Sequence, residues 1–389
     1  MPSGSEADVV PDVRVRRIEG AGTAEVFLQI APSSTRDDEQ GQFASLVARA
    51  GQALLAQGLA PSNILCGWIH FARAPQWNWR EVLASAWETA GPLPISAVVQ
   101  PPAAPFCYCT LHLHAVRSPR QSGVWYGNSD KPAAATVLRG GARHLRLMSI
   151  TPRHELRGSP DVVALTYDML AQAGHALTDR GLGFKDVVRT WIYVRDIERN
   201  YAFVNQARNR YFEEQALARL PASTCVEGAL CGAESPVAMD LYALAAKEDV
   251  TVEAIAPGRM GEASAYGSAF ARGTRILEPG RTTLYISGTA SIDVQGAVVA
   301  VDDIQGQLDC MFGNVHALLE KCGMRMGDVA SATAYLKRKE DYRRFFEAAE
   351  SHGLSRELPI AAVVADICRP EWLCEIEAYA VSIGVDPGK

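Results

Sequence analysis

The chain has 389 residues, of which 48% are hydrophobic, and its formal net charge is −6. This length suits two or three domains, while the mild acidity offers no basic surface for nucleic acid or for an anionic membrane. No apolar run approaches the roughly 20 residues of a membrane-spanning helix, so we expect neither nucleic acid nor a membrane among the partners.

The N-terminal segment and the cysteines indicate a cytoplasmic protein. The polar start MPSGSEADVVPDVRVRR lacks the apolar core of a secretory signal peptide. The nine cysteines are scattered without the spacing of a disulfide framework, which predicts reduced thiols. Cys107 and Cys109 stand two residues apart in FCYCTLHLHA, where strand alternation explains them better than metal binding. Because no CxxC or HExxH motif is present, we predict no metal site.

The same order of elements recurs three times along the chain. Each copy has a helical segment ending at Gly, a β-rich run, a charged turn, an amphipathic helix, and then a Leu-Pro pair leading into an apolar strand. The first helical segments are FASLVARAGQALLAQG, VVALTYDMLAQAGHALTDRG and QLDCMFGNVHALLEKCG, and their terminal glycines suit left-handed C-caps. Strands and helices in this order predict an α+β fold, a mixed sheet with helices on one face.

We therefore divide the chain into three tandem units. They cover residues 1–118, 119–247 and 248–389, and the first is the most divergent. The connecting segments are RSPRQSG at residues 117–123 and APGRMGE at residues 256–262.

The last predicted strand carries two acids on one face. Alternation in WLCEIEAYAV separates a small apolar set, suited to lie under a helix, from a second set on the opposite face. The apolar set is Cys374, Ile376, Ala378 and Ala380, and the opposite set is Leu373, Glu375, Glu377 and Tyr379. The acidic face is either solvated or the wall of a site.

The repeated unit resembles the reactive-intermediate deaminase (Rid) family, also called the YjgF-type or Rid/chorismate-mutase-like fold. Members of that family form homotrimers with sites at subunit interfaces, so three copies in one chain resemble a covalent pseudo-trimer. A pseudo-trimer already covers the interface that a single unit would expose. The resemblance therefore implies a monomer or a weak homodimer, with its main cleft between units two and three.

Several motifs resemble the chorismatases, relatives of Rid proteins that act on chorismate in secondary metabolism. In unit three they are AYGSAFARGTRI, LYISGTASID, the GQ of DDIQGQ, and DICRPEWLCEIEA; in unit two they are RTWIYV and LPAST. Glu375 matches the acid that serves chorismatases as proton donor or acceptor, and a carboxyl in a partly apolar wall has a raised pKa. Gly288 and Cys368 match positions that separate chorismatase subtypes and resemble the subtypes that form hydroxybenzoates.

The resemblance implies Glu375 and Cys368 as catalytic residues, and the remaining candidates as substrate contacts. These contacts are Tyr266, Phe270, Arg272, Gly288, Arg189, Trp191 and Glu377. Each has a structural alternative: a satisfied acid for Glu375, a strand bulge for Gly288, a small buried hydrophobe for Cys368, core packing for the aromatics and ion pairs for the arginines.

The sequence also departs from both families. Rid deaminases hold the substrate carboxylate with an arginine after the Leu-Pro turn, where this chain has Ser96, Ser223 and Ala361. The proline-rich insert of chorismatases between Tyr266 and Arg272 is missing, and a lysine expected upstream of the tyrosine in SATAYLKR is Thr333. Because burying the two carboxylates of chorismate without paired donors is costly, these losses suggest a less charged or differently shaped substrate.

Three functions remain open. The first is a cofactor-free acid/base enzyme acting on an aromatic or pre-aromatic small molecule. It performs either cyclisation with aromatisation, giving for example a carbazole- or benzoate-type ring, or enolpyruvyl cleavage to a hydroxybenzoate and pyruvate. The second is a non-catalytic metabolite- or protein-binding module, which predicts that Glu375 is exposed or salt-bridged with no pocket behind it. The third, an imine or enamine deaminase, is disfavoured by the missing arginines. We expect no cofactor, since GxGxxG and GxxxxGK are absent.

Overall fold

The computed structural model describes residues 13–20, 22–34, 36–89, 93–118, 124–125 and 132–384. The predicted connection at residues 119–123 and the side chain of Tyr266 lie outside what it describes. Within the described part, no helix is long and apolar enough to cross a membrane.

The described residues form three six-stranded sheets. The first has the order β1-β2-β5-β3-β4-β11 and carries helices α1 (Glu39–Ala56) and α2 (Trp79–Trp87). Its first five strands in chain order are β1 (Val13–Gly20), β2 (Thr23–Ile30), β3 (Ile64–Phe71), β4 (Ile95–Val99) and β5 (Cys109–Arg117).

The second sheet has the order β10-β9-β12-β8-β7-β6 and carries α3 (Val162–Thr178) and α4 (Ile197–Glu214). The strands of this part of the chain are β6 (Val124–Trp125), β7 (Ala133–Arg139), β8 (Ala142–Ile150), β9 (Val187–Val194), β10 (Ala222–Glu227), β11 (Ala229–Leu230) and β12 (Val237–Ala245).

The third sheet has the order β13-β14-β15-β18-β16-β17 and carries α5 (Ile304–Lys321) and α6 (Tyr342–Ser351). Its strands are β13 (Thr251–Ile255), β14 (Gly273–Glu278), β15 (Arg281–Ala290), β16 (Val329–Leu336), β17 (Ile360–Val364) and β18 (Cys374–Ile383).

These sheets confirm the predicted α+β fold. Each is mixed, with one parallel pair formed by the strand before and the strand after the second helix, namely β3–β4, β9–β10 and β16–β17. The predicted helix-ending glycines Gly58, Gly181 and Gly323 have φ of 68°, 69° and 67°, the left-handed conformation in which Gly meets no Cβ clash.

A separate apolar core lies between each helix pair and one face of its sheet. In unit three, this core takes the alternate residues of β18 that the sequence assigned to the helix side: Cys374, Ile376, Ala378 and Ala380. Glu375 and Glu377 therefore point to the opposite face, as predicted.

The three sheets are joined to one another by short backbone contacts. Strand β11 leaves the second unit and pairs with β4 of the first sheet. Between the second and third sheets, the N–H of Ala222 donates to Oγ1 of Thr274 at 3.0 Å. Between the third and first sheets, the N–H of Ala103 donates to the carbonyl of Ala362 at 2.9 Å. The helix-free faces of all three sheets consequently meet in the middle of the molecule.

Candidate active site

Glu375 lies in a cleft between the second and third sheets. Unit two contributes α4 and β10 to this cleft, and unit three contributes β15, the start of β18 and the segment before β14. Only 4% of Glu375 is exposed. Because β18 alternates, its Glu375 carboxyl faces the neighbouring unit and not the helices of its own unit.

The Glu375 carboxyl is held in its protonated form. Burial raises its pKa to about 8, and the nearby negative charge of Glu377 adds to the effect. Arg189 and Arg272 act in the opposite direction but do not outweigh burial. Among the described residues, no group donates a hydrogen bond to this carboxyl or forms an ion pair with it. The group is therefore poised to titrate close to neutral pH.

Gly288 provides the space that the Glu375 side chain occupies. The pairing of β15 with β18 shifts register between Ile286 and Thr289, so Gly288 lies in a bulge. A Cβ atom at this position would stand 2.8 Å from Cδ of Glu375 and closer still to Oε1. The N–H of Gly288 donates to Oγ1 of Thr224 at 3.0 Å, which connects the bulge to β10 of unit two.

Cys368 lines the same cleft but as a neutral thiol. Burial raises the pKa of its thiol, and the charge of Glu375 raises it further, while a hydrogen bond from Tyr201 partly opposes the shift. Arg369 is directed elsewhere, since its guanidinium donates to the carbonyl of Gly296 at 2.7 Å. A thiolate nucleophile is therefore not favoured here, and a catalytic role for Cys368 stays a prediction.

Arg208 is a cleft residue that the sequence analysis missed. It is 1% exposed, its Nη2 donates to Oδ1 of Asn205, and its Nε and Nη1 have no acceptor among the described residues. The same part of the chain offers it no carboxylate at ion-pair distance. The signal was present in the sequence: Arg208 is four residues after Val204 and three before Tyr211, which puts a charge on the apolar face of α4.

Two guanidinium groups flank Phe270 in the cleft. Cζ of Arg208 lies 5.5 Å from the ring centroid, and Cζ of Arg272 lies 5.4 Å from it. Arg272 is oriented by the carbonyl of Gly261, to which its Nε and Nη2 donate at 3.0 and 2.7 Å. With Glu375 protonated, two buried cations give this cleft a positive potential that suits an anionic group.

The cleft is nearly closed. Its cavity measures about 20 Å³, which is enough for about one water molecule. Tyr201 and Phe270 line the cavity and are only partly buried, so an outward movement of these side chains would enlarge it. A ring-bearing ligand enters only if such a displacement occurs.

Arg189, Trp191 and Glu377, which the sequence analysis also named as substrate contacts, do not line this cleft, and that role stays a prediction. They line a second cavity in the middle of the molecule, where the three sheets meet. Nη2 of Arg189 lies 2.5 Å from Oε2 of Glu377, and Nε1 of Trp191 donates to Oε1 at 2.9 Å. Arg189 also donates to Thr224, so it separates the two cavities. Alternation predicts the face of the strand on which each of these side chains lies. It does not predict which of the two cavities that side chain lines.

Strand register shows that the acid is present in one unit only. In unit three, Glu375 pairs with Tyr335 on the neighbouring strand. At the equivalent position, unit two has Ala238 paired with Tyr193, and unit one has Thr110 paired with His70. Of these three equivalent positions, only the one in the cleft between units two and three carries a carboxyl.

The register also corrects the assumed position of the deaminase arginine. Trp68, Trp191 and Thr333 are each the fifth residue of their strand. The parallel neighbour strand pairs them with Ser96, Thr224 and Ala361 respectively. In unit two the equivalent residue is therefore Thr224 and not Ser223. None of the three is an arginine. Within the described residues, no three His, Cys, Asp or Glu side chains are grouped as a metal site.

The sequence matches a known protein family over most of units two and three. The model described as endoribonuclease L-PSP matches residues 149–245 and 270–382, more than half of the chain. The chain belongs to this family. The predicted kinship with Rid proteins is thereby confirmed, and two matches in tandem agree with repeated units. No curated protein sequence matches the chain.

One solved structure extends the likeness to 92% of the chain. The crystal structure of a chorismatase is similar to this L-PSP family member over 92% of this chain and 98% of its own, with a TM-score of 0.63 and 19% identity. A putative endoribonuclease L-PSP from Entamoeba histolytica covers 34% of this chain and 100% of its own, at 24% identity and a TM-score of 0.29. RidA from a Psychrobacter species covers 33% and 98%, at 20% identity and a TM-score of 0.28. The chain thus has a chorismatase-type fold.

Proposed function

We propose that the protein is an acid/base enzyme of aromatic secondary-metabolite biosynthesis, in which Glu375 donates a proton to a small carboxylate-bearing substrate. The observation that carries this proposal is a protonated, buried carboxyl with a pKa of about 8 in a cleft that also holds two guanidinium groups. Strongly shifted carboxyl pKa values cluster at catalytic sites, where a pKa near the working pH suits proton transfer.

The protonation state favours chemistry that begins with acid. At pH 7 a carboxyl with a pKa of about 8 is mainly protonated, so Glu375 meets its substrate as a donor. In enolpyruvyl cleavage of chorismate, the proton goes to the methylene carbon of the enol ether. The ring carbon–oxygen bond then breaks, pyruvate leaves, and the ring loses a proton and becomes aromatic. The Glu375 carboxylate takes up that ring proton, so the acid is regenerated without an oxidant or a cofactor.

The cations of the cleft supply positive charge for a substrate carboxylate. Arg208, whose Nε and Nη1 have no acceptor among the described residues, can donate hydrogen bonds to a substrate carboxylate. Arg272, which is held by the carbonyl of Gly261, adds positive charge. Position 333, where the resemblance implies a lysine, lines the central cavity, so Arg208 is a separate source of positive charge for the cleft. The two cations support an anionic substrate, and chorismate is one molecule of this kind.

A second reaction, cyclisation with aromatisation, is supported by the closed and partly apolar cleft, with Phe270 and Trp372 in its wall. There the Glu375 carboxylate, the minor form at pH 7, removes a carbon-bound proton. The two reactions have opposite pH dependence. A rate limited by proton donation falls above about pH 8, whereas a rate limited by proton removal rises toward that pH.

The two other functions have less support. A non-catalytic module predicts an exposed or ion-paired Glu375, yet this side chain is 4% exposed and makes no ion pair in the described part of the chain. A deaminase needs a carboxylate-binding arginine where Ser96, Thr224 and Ala361 stand.

The test is pyruvate release from chorismate, followed with a lactate dehydrogenase couple. Wild type is compared with Glu375→Gln and with the matched control Glu371→Gln, whose side chain is exposed. Pyruvate from wild type and from the control, but not from Glu375→Gln, supports the proposal. No pyruvate from wild type rules out chorismate cleavage, and equal rates in all three variants rule out Glu375 as the acid.

A further inference from the structure

A second cavity lies in the middle of the molecule, where the faces of the three sheets meet. It measures about 50 Å³, which is room for a halide ion or a few water molecules but not for a ring-bearing metabolite. Arg189 and Thr224 separate it from the cleft that holds Glu375. Its walls come from all three units and are mostly aromatic side chains, histidines and arginines.

Arg146 on β8 brings an uncompensated charge into this cavity. It is 2% exposed, and its Nη2 donates to the hydroxyl of Tyr285 at 2.6 Å. Its Nε and Nη1 have no acceptor among the described residues, and no carboxylate of that part of the chain lies at ion-pair distance. The guanidinium faces the rings of Tyr242 and Trp191, at 4.0 and 5.6 Å from their centroids. Cation–π contacts offset only part of what burial of a cation costs.

The other groups around the cavity do not neutralise Arg146. Arg189 and Glu377 cancel each other as an ion pair. Burial lowers the pKa of His112 to about 3 and raises that of Cys66 to about 11, so both are neutral. Asp240 lies beside the cavity but not at ion-pair distance from Arg146, and its oxygens accept from Trp68, Tyr193, Ser96 and the N–H of Ser149.

More than one unused donor is buried at this place. Besides the two nitrogens of Arg146, Nη1 of Arg189 has no acceptor within the described residues. Nδ1 of His112 has no partner there either, and it is a donor in the tautomer whose Nε2 accepts from the hydroxyl of Ser331. Both side chains line the same cavity. Buried donors of this kind are normally satisfied by protein, water or an ion.

We propose that this central cavity binds a small inorganic anion, of the size of a halide, between Arg146 and Arg189. The anion balances the charge of Arg146 and accepts hydrogen bonds from donors that the chain leaves unused. Both arginines belong to unit two, on β8 and β9, and the facing walls of the cavity come from units one and three.

The direct test is crystallography of wild-type protein grown in sodium bromide. Anomalous scattering from bromide is expected in the cavity, at hydrogen-bond distance from Arg146, and absent there in Arg146→Met. A cavity that holds only water, with bromide confined to the outer surface as an adventitious ion only, would overturn the proposal. A cavity peak that persists in Arg146→Met would overturn the role of that residue.

A solution measurement gives an independent readout. The bromide concentration is raised a hundredfold in exchange for gluconate, so that the ionic strength stays constant. The Tm of wild type is expected to rise by about 3 °C. Arg146→Met and Cys66→Asp, which supplies a fixed carboxylate in the cavity wall, should both lose this dependence. Arg143→Met, on the same strand but partly exposed, should keep it. Equal bromide dependence in all variants, or none in wild type, contradicts the proposal.

Discussion

The backbone of Gly288 lies directly against the carboxyl group of Glu375. A Cβ atom at position 288 would stand 2.8 Å from Cδ of Glu375 and 3.3 Å from Cγ2 of Thr224. The glycine belongs to unit three, as the acid does, while Thr224 belongs to unit two and accepts the Gly288 N–H. The bulge at Gly288, the carboxyl of Glu375 and strand β10 therefore contact one another, and each can be tested by its own substitution.

Gly288→Ala should displace the Glu375 carboxyl. We expect kcat/KM to fall at least tenfold, which corresponds to about 1.4 kcal/mol, and the free energy of unfolding to fall by about 1–3 kcal/mol through overpacking. Kinetics on the substrate found in the pyruvate assay and urea denaturation measure the two effects. Gly158→Ala, where no atom lies within 4 Å of an added Cβ, is the control. Unchanged activity in Gly288→Ala would mean that the position of this carboxyl does not matter.

Arg208→Met should weaken substrate binding without destabilising the protein. The guanidinium is buried without an acid partner among the described residues, so its loss removes a desolvation cost together with a carboxylate ligand. We expect kcat/KM for an anionic substrate to fall by about ten- to a hundredfold, with the Tm unchanged or higher. Arg210→Met is the control, because Arg210 is on the same helix and pairs with Glu214 at the surface. A lower Tm with unchanged kinetics would assign Arg208 a structural role.

The raised pKa of Glu375 should make stability depend on pH. Between the ordinary value of 4.5 and about 8, the folded state keeps a proton that the unfolded state has lost, so the stability of wild type falls as pH rises through this window. Glu375→Gln cannot lose that proton. The difference in free energy of unfolding between Glu375→Gln and wild type should therefore increase by ~4 kcal/mol, in favour of the variant, from pH 4.5 to pH 8. Urea denaturation across this range measures the difference, and parallel curves would contradict the assignment.

The pair Arg189–Glu377 should behave as a buried structural ion pair between units two and three. Replacing one partner, in Arg189→Met or Glu377→Gln, leaves a buried charge alone and should cost about 3–5 kcal/mol of stability. The double variant should lose much less than the sum of the single losses. The exposed pair of Arg210 and Glu214 is the control cycle, with an expected coupling of about 0.3–0.5 kcal/mol. Additive losses at Arg189 and Glu377 would contradict the ion pair.

The sequence predicted the features that follow from local periodicity. The three-fold repeat, the mixed sheets with helices on one face, the left-handed glycines Gly58, Gly181 and Gly323, and the split faces of β18 all follow from patterns a few residues long. Strand β11 was not predicted, because two residues, Ala229 and Leu230, carry no periodic signal and their partner lies in another unit.

The candidate site residues remain predictions, and local sequence patterns could not supply the contacts between units. Alternation placed Glu375 and Glu377 on the same face, but their neighbours differ: Glu375 meets the cleft, whereas Glu377 meets Arg189 and the central cavity. Arg208 was missed because its role depends on which helix of unit two faces unit three. Local patterns determine the face of an element, but only the packing of units determines what that face meets.

The central claim, that Glu375 is a protonated acid at neutral pH, can be measured by NMR titration of protein labelled with carbon-13 at the glutamate carboxyl. The spectrum of Glu375→Gln assigns the resonance. The account predicts one carboxyl signal that titrates near pH 8 and is missing from the variant. A Glu375 signal that titrates near the ordinary pKa of 4.5 would contradict the account, since the residue would then meet its substrate as a carboxylate.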